Sequence, residues 1–293
     1  AHWSICFSAR ALIWIKVGGR RLDDATGMEA VRSAAPMPLP RVRLRDVVVP
    51  KEHGSWSLAF EPLALGLSIA PSAAGAWLAV AVLAGFFARR PLKILLRDRD
   101  ATRRHAAARA LVLCGAAGLV ACAFALGAGG VHWTGWLLPF AGCGVAFLFF
   151  DLQNNAREER AEILGAAAFA SVTPALVAAA GAGAVETGIA LIAMMGRAVP
   201  SVMYVRACVR GGKTGEYRCA PALLMGGVAC AAGVGAWSMR CAPAIVPIAL
   251  GFLFVRSAIR LARRQPVRAR TLGLQELAIG IAYIAAVSAA WRI

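Results

Sequence analysis

The stretch AAARALVLCGAAGLVACAFALG, residues 106–127, decides the fold class of this chain. It is almost entirely apolar, and its length suits an α-helix that crosses a hydrocarbon core of roughly 30 Å. Similar runs recur from residue 57 to the C-terminus, and 59% of the 293 residues are hydrophobic. A membrane β-barrel would instead show short strands of alternating hydrophobicity. The sequence therefore predicts an all-α polytopic membrane protein.

Polar breaks divide the chain into about nine candidate transmembrane helices, most of them close to the length that a span requires. They cover residues 57–71, 72–88, 106–127, 131–150, 161–180, 184–205, 219–238, 241–259 and 271–290. Residues 1–48 are mixed in character, so we expect a disordered or extended segment ahead of a membrane domain at 49–293. Met28 resembles a natural start, so we expect residues 1–27 to be either an upstream extension or a disordered tail.

Lys and Arg side chains alternate between loops as the positive-inside rule describes. They gather in the N-terminal segment and in the connections at 89–109, 151–160, 206–218 and 256–270, whereas the intervening connections hold only Arg240. This pattern predicts a multi-pass inner (plasma) membrane protein with a cytoplasmic N-terminus and an external C-terminus. The net charge of +17 then reflects topology, and no nucleic-acid partner is expected. The eight cysteines form no CxxC or Cys/His cluster, so no disulfide or zinc framework is predicted.

A polar stretch, KEHGSW at residues 51–56, precedes the first candidate span, and Glu61 lies about one turn inside that span. Histidine titrates near neutrality, and a carboxylate inside a membrane span is a functional hypothesis by default. Glu52, His53 and Glu61 are therefore the predicted catalytic, proton-handling groups.

Three cations follow the second candidate span. If this segment is helical, Arg90, Lys93 and Arg97 share one face, which would attract a phosphate or an acidic lipid headgroup. The alternative is a basic loop that serves topology alone, although such a loop has no need of Asp98 and Asp100.

The sequence FLFF at residues 147–150 is followed by Asp151, Asn154 and Arg157. Asp and Asn oxygens at this spacing suit Mg²⁺ held partly through water, with substrate phosphates completing the octahedron. We expect Asp151 to be a metal ligand and Asn154 and Arg157 to bind substrate. The alternative is a helix cap with a solvated turn.

The sixth candidate span carries Arg197 well inside its apolar run, and Tyr204 and Arg206 follow near its inner end. A buried arginine in a membrane is costly, and such residues face a cavity or a partner. These three residues are predicted to bind substrate. The alternative is a structural pair between Arg197 and an acid within a span, such as Glu61 or Glu276.

Several of these motifs together resemble the YwiC-like membrane protein family. They are PKEHGSW at 50–56, RRPLKILLRDR at 89–99, the Asp, Asn and Arg that open the fifth span, and RAVPSVMYVR at 197–206. The resemblance covers about residues 48–290. It implies an integral membrane protein and does not specify a reaction.

A looser resemblance is to the UbiA-type prenyltransferases. It implies nine spans, a cytoplasmic N-terminus and an active site that opens to the cytoplasm and binds Mg-diphosphate. The loops after spans two and six depart from that family's Asp-rich motifs, because they offer only Asp98 and Asp100 in the first and Glu216 in the second. Metal-dependent prenyl transfer is therefore not implied, although the architecture can be shared without the reaction.

Three functions fit these residues. The first is an enzyme with a basic, cytoplasm-facing site for an anionic substrate such as a phosphorylated lipid or isoprenoid, with Mg²⁺ as a candidate cofactor. The second is a proton-coupled transporter of a small anion or organic acid, with Arg197 as the substrate ligand and Glu61 or Glu276 as the proton carrier. The third is a non-catalytic membrane or assembly protein whose buried charges are merely paired. All three place the chain in a lipid bilayer.

Overall fold

Helices account for all the regular structure that the computed structural model describes, which covers residues 44–49, 54–264 and 267–291 and contains no strand in these ranges. The α-helices are α1 (Leu44–Val48), α2 (Gly54–Ile69), α3 (Ala73–Arg97), α4 (Ala101–Gly129), α5 (Leu138–Leu152), α6 (Glu159–Ala170), α7 (Val172–Ala179), α8 (Ala184–Thr214), α9 (Cys219–Ser238), α10 (Ile245–Arg263) and α11 (Ala269–Trp291). A short 3₁₀ helix, Thr134–Leu137, leads into α5.

The candidate spans of the sequence overlap these helices. Within the described ranges, seven helical stretches are long and apolar enough to cross a membrane, with α6 and α7 counted as one stretch. Helix α2 is apolar but shorter, and α3, which ends in a cationic segment, is not among the seven. The all-helical prediction is confirmed. The count of nine and the orientation of the termini stay predictions.

The candidate span at 161–180 is broken between α6 and α7. Ser171 Oγ donates a hydrogen bond of 2.7 Å to the Ala167 carbonyl, and Pro174 has no N–H with which to continue the helical ladder. Thr173 follows the break, and its buried Oγ1 donates a hydrogen bond of 3.0 Å to the Pro62 carbonyl in α2. The break therefore ties α7 to α2.

The buried interior of the helical bundle lies among α2, α7, α8, α10 and α11. Its buried apolar side chains include Leu65, Val177, Met194, Leu250 and Tyr283. Gly66 allows α2 to approach α7 closely, because a Cβ there would lie 2.7 Å from Leu176 Cδ1. Of the seven span-length stretches, those that contain α4 and α5 have the smallest share of buried residues, as expected of helices that face lipid. Helix α2, with Glu61, is thus an interior helix.

The predicted N-terminal segment is described only from residue 44 onward. Its last residues form α1, which packs Val47 against Ala107 and Ala110 of α4. Residues 1–43, including Met28, lie outside the described residues. The division of the chain at residue 48 therefore stays a prediction.

Candidate functional site

Arg197 is the most deeply placed cation of the predicted site, with 2% of its surface exposed on α8. Its Nη2 lies 3.4 Å from Glu61 Oε2 on α2. Its Nη1 lies 3.2 Å from Glu276 Oε2 on α11, and Nη2 also donates to the Glu276 main-chain carbonyl at 3.0 Å. Ser201, one turn along α8, accepts a further hydrogen bond from Nη1. Arg197 therefore joins three helices through two carboxylates.

Glu276 is shared between two arginines. Its second oxygen, Oε1, lies 2.6 Å from Nη2 of Arg256 on α10. The guanidinium of Arg256 in turn stacks over the Tyr204 ring, with Cζ 5.0 Å from the ring centroid. We call Glu61, Arg197, Glu276 and Arg256 the Arg197 network. It contains two cations and two anions, so its formal charges cancel.

Tyr204 lies beside this network and not within its hydrogen bonds. Its side chain is 1% exposed and packs against Leu261 and Leu272. Its hydroxyl lies near the Cys208 side chain, one turn along α8, and not at the carboxylates of the network. Tyr204 is thus a buried ring beneath the Arg256 guanidinium, and its role in substrate binding stays a prediction.

Gly280 explains why Glu61 can reach Arg197. Glu61 lies directly against α11 at this glycine, and a Cβ there would overlap Oε1 and lie 2.6 Å from the carboxyl carbon. Any side chain at position 280 would therefore push the carboxylate away from its cation.

The Gly280→Ala variant is expected to lower the free energy of unfolding by about 1–3 kcal/mol, the usual cost of overpacking a buried position. The measurement is thermal unfolding of the purified protein in detergent. Gly273→Ala on the same helix is the matched control, because a Cβ at that position meets nothing within 4 Å. Adding a Cβ to a helical glycine there is expected to be stabilising by up to about 1 kcal/mol. Equal effects of the two substitutions would contradict the role of Gly280.

Asp151 lies at the end of α5 and is 1% exposed. Arg89 Nε lies 2.6 Å from Oδ2, and Lys93 Nζ lies 2.8 Å from Oδ1. Arg89 also stacks on Phe147, with Cζ 4.7 Å from the ring centroid. Both carboxylate oxygens thus bind cations from α3. We call Asp151, Arg89 and Lys93 the Asp151 cluster.

The described residues contain no group of three or more His, Cys, Asp or Glu side chains that could hold a metal ion. The predicted Mg²⁺ ligand, Asp151, has both oxygens in ion pairs instead. Its role as a metal ligand stays a prediction.

The three predicted cations of α3 do not share one anionic partner. Lys93 binds Asp151, whereas Arg90 donates to the main-chain carbonyl of Val49. Arg97 is exposed. Arg89, which the sequence interpretation left out, joins Lys93 because residues four apart lie on one helical face.

Arg206 forms a third group of contacts, near the start of α6. Its Nη1 lies 2.5 Å from Glu162 Oε2 and donates to the Arg157 carbonyl at 2.9 Å. Its Nε lies 3.7 Å from Glu159 Oε2. Arg157 thus takes part through its main chain, and its side chain is exposed. We call Arg206, Glu159 and Glu162 the Arg206 cluster.

Two further predictions fall elsewhere. Asn154 is exposed in the turn after α5 and has a positive φ of 63°, a conformation that asparagine tolerates better than most residues. Its main-chain N–H donates a hydrogen bond of 3.0 Å to the Asp151 carbonyl. Glu52 and His53 lie outside the described residues, so their proposed proton-handling role stays a prediction.

The ion-paired residues of the predicted site therefore form three groups in the described part of the chain. Within that part, no hydrogen bond or ion pair joins the Arg197 network, the Asp151 cluster and the Arg206 cluster to one another. Sequence reasoning assigned Arg256 to a loop, but α10 continues to Arg263 and carries Arg256 to Glu276.

The family model of YwiC-like proteins matches residues 49–177. This stretch of the chain is YwiC-like. The predicted resemblance is confirmed over that part, which contains Glu61 and the Asp151 cluster, whereas Arg197 and Arg206 lie beyond it. No curated protein and no solved structure matched the chain. With its long apolar helices, the chain is a polytopic integral membrane protein.

Proposed function

We propose that this YwiC-like chain is a nine-span inner-membrane protein that carries a small anion together with a proton at the Arg197 network. The observation that carries the proposal is the position of Arg197 between Glu61 and Glu276 inside the helical domain. Intramembrane ionisable residues of this kind mark ion and proton pathways. The alternation of cationic loops supports the cytoplasmic placement of the N-terminus.

The coupling follows from the charge balance of the network. While both glutamates are ionised, Arg197 and Arg256 are neutralised and an external anion gains little by entering. A proton on one carboxylate leaves an uncompensated guanidinium, and a buried charge without a partner is strongly unfavourable. An anion that takes the vacated place restores the balance. The anion and the proton therefore bind together and leave together.

Glu61 is the proposed proton carrier. Glu276 pairs with two guanidinium groups, at 3.2 Å from Arg197 and 2.6 Å from Arg256, so loss of its charge would break two ion pairs. Glu61 faces only Arg197, at 3.4 Å. Since Glu61 loses less attraction on protonation, it is the group that exchanges its proton.

The contacts favour this function over the phosphorylated-lipid enzyme. That enzyme would use the cations of α3 and α8 around a single phosphate, next to metal or water at Asp151. In the described residues Lys93 neutralises Asp151, whereas Arg197 and Arg206 belong to other groups of contacts. A non-catalytic role, in which the Arg197 network only ties helices together, is the second candidate, because every charge in the network is paired.

Proteoliposomes that contain an internal pH-sensitive dye test the transport proposal. Inward gradients of acetate, lactate, succinate or phosphate are imposed, and at least one of these anions is expected to acidify the lumen in the wild-type protein. The Glu61→Gln variant is expected to exchange the same radiolabelled anion while acidification falls to the level of protein-free vesicles. Glu186→Gln, which alters an exposed carboxylate at the start of α8, is the control and should acidify normally.

The charge-compensated double variant Arg197→Gln with Glu61→Gln keeps the network neutral, and it is expected to show no anion flux. Flux that persists in this variant would reject the mechanism. If none of the four anions acidifies the lumen in the wild-type protein, the result favours the second candidate, the non-catalytic role.

A further inference from the structure

A basic pocket at the Arg206 end of α8 is not used by the proposed transport. It is an open depression on the surface of the described chain. Arg206, Arg210 and Arg218 line it together with Glu159, and Met203, Ala207 and Ala222 supply apolar lining. The pocket therefore combines guanidinium groups with a patch of hydrocarbon.

The sequence of α8 produces this arrangement. Met203, Arg206, Ala207 and Arg210 follow the i, i+3, i+4, i+7 pattern, so they share one helical face. Both cations and their apolar neighbours thereby point to the same depression.

The turn after α8 adds the third arginine. Gly215 ends the helix with a φ of +77°, and the Tyr217 ring lies against Gly211, where a Cβ would overlap it. This contact holds the turn against α8 and places Arg218, the next residue, at the pocket.

Two of the three guanidinium groups are available to a ligand. Arg206 is engaged by Glu162 at 2.5 Å. Arg210 and Arg218 are exposed, and neither side chain has an ion-pair partner in the part of the chain that the structure describes. Arginine side chains bind phosphate oxygens through pairs of parallel N–H···O hydrogen bonds. The neighbouring apolar lining suits the hydrocarbon of an amphiphile.

We infer that this pocket binds a phosphate ester group, supplied either by an anionic lipid headgroup or by a soluble phosphate ester. Arg210 and Arg218 contact the phosphate, and Arg206 is held beside them by its carboxylates. The site is separate from the Arg197 network and does not depend on the transport proposal.

The test uses the full chain purified in a nonionic detergent. Retention of phosphatidylglycerol is measured by native mass spectrometry, with phosphatidylcholine as the zwitterionic comparison, and glycerol 3-phosphate is titrated by calorimetry. The Arg210→Gln, Arg218→Gln double variant is expected to bind at least one of the two anionic probes about tenfold more weakly than the wild type.

The control is Arg263→Gln with Arg264→Gln, which removes the same charge from two exposed arginines at the end of α10. Its affinity for each of the two anionic probes should lie within about twofold of that of the wild type. A loss confined to phosphatidylglycerol assigns the site to a lipid headgroup, and a loss of glycerol 3-phosphate binding assigns it to soluble esters. Equal losses in both double variants, or no loss for either probe in the pocket variant, would overturn the inference.

Discussion

Replacing Arg197 with glutamine is expected to lower the free energy of unfolding by about 3–5 kcal/mol, the usual cost of removing one partner from a buried ion pair. The substitution leaves Glu61 and one oxygen of Glu276 without their cation in the interior of the helical domain. Glutamine preserves much of the volume of the side chain, so the effect reports charge more than packing. Thermal unfolding in detergent and denaturant titration measure the loss.

The Arg197→Gln, Glu61→Gln double variant separates the ion pair from other contributions. Because the second substitution removes the orphaned carboxylate, we expect the double variant to recover at least about half of the lost stability, as a double-mutant cycle between coupled residues would show. Arg240→Gln at an exposed position is the control, with an expected change within about 0.5 kcal/mol. Additive single effects, with no recovery, would show that Arg197 and Glu61 are not coupled.

Replacing Asp151 with asparagine is expected to be the next most destabilising change, at about 2–3 kcal/mol, somewhat below the full cost of breaking a buried pair. One buried carboxylate neutralises both Arg89 and Lys93, and asparagine keeps its shape while removing the charge. The cost is reduced because the two cations are partly exposed and regain water. Unfolding of the variant and the wild type in the same detergent provides the comparison.

Asp98→Asn is the matched control for Asp151. Asp98 also pairs with an arginine, Arg103 at 2.8 Å, but that arginine side chain is 45% exposed, so the pair contributes only about 0.2–1 kcal/mol. Repeating both measurements with added Mg²⁺ tests the metal prediction. If Asp151 binds Mg²⁺, the wild type is stabilised by the ion and Asp151→Asn is not. If Asp151→Asn and Asp98→Asn lower the free energy of unfolding by the same amount, the ion pairs of Asp151 with the α3 cations do not stabilise the fold.

The helical architecture could be predicted because hydropathy depends on composition over a window of residues. The break within 161–180 was harder to foresee, since Ser171 and Pro174 interrupt the ladder without interrupting the apolar run. The pairing of Arg197 with an acid was among the interpretations that the sequence allowed. That interpretation rested on the high free-energy cost of an unpaired charge inside a membrane span.

The partners of the α3 cations could not be predicted from spacing alone. Helical periodicity groups Arg90 with Lys93 and Arg97, but it does not say which face meets the neighbouring helix. The packing of α3 beside α5 selects Arg89 and Lys93, because these are the side chains that reach Asp151. The same limit applies to Arg256, whose partner depends on how far α10 continues.

The Arg197 network also constrains the order in which the chain can mature during synthesis. Glu61 precedes Arg197 by 136 residues, and Arg197 precedes Glu276 by 79. At ribosomal rates of about 5–20 residues per second, Arg197 is synthesised roughly 7–27 s after Glu61. The short helix α2 is therefore made well before the cation that neutralises its carboxylate. The ion pairs of the central helices form only after α8 has been made, and they are complete once α11 supplies Glu276.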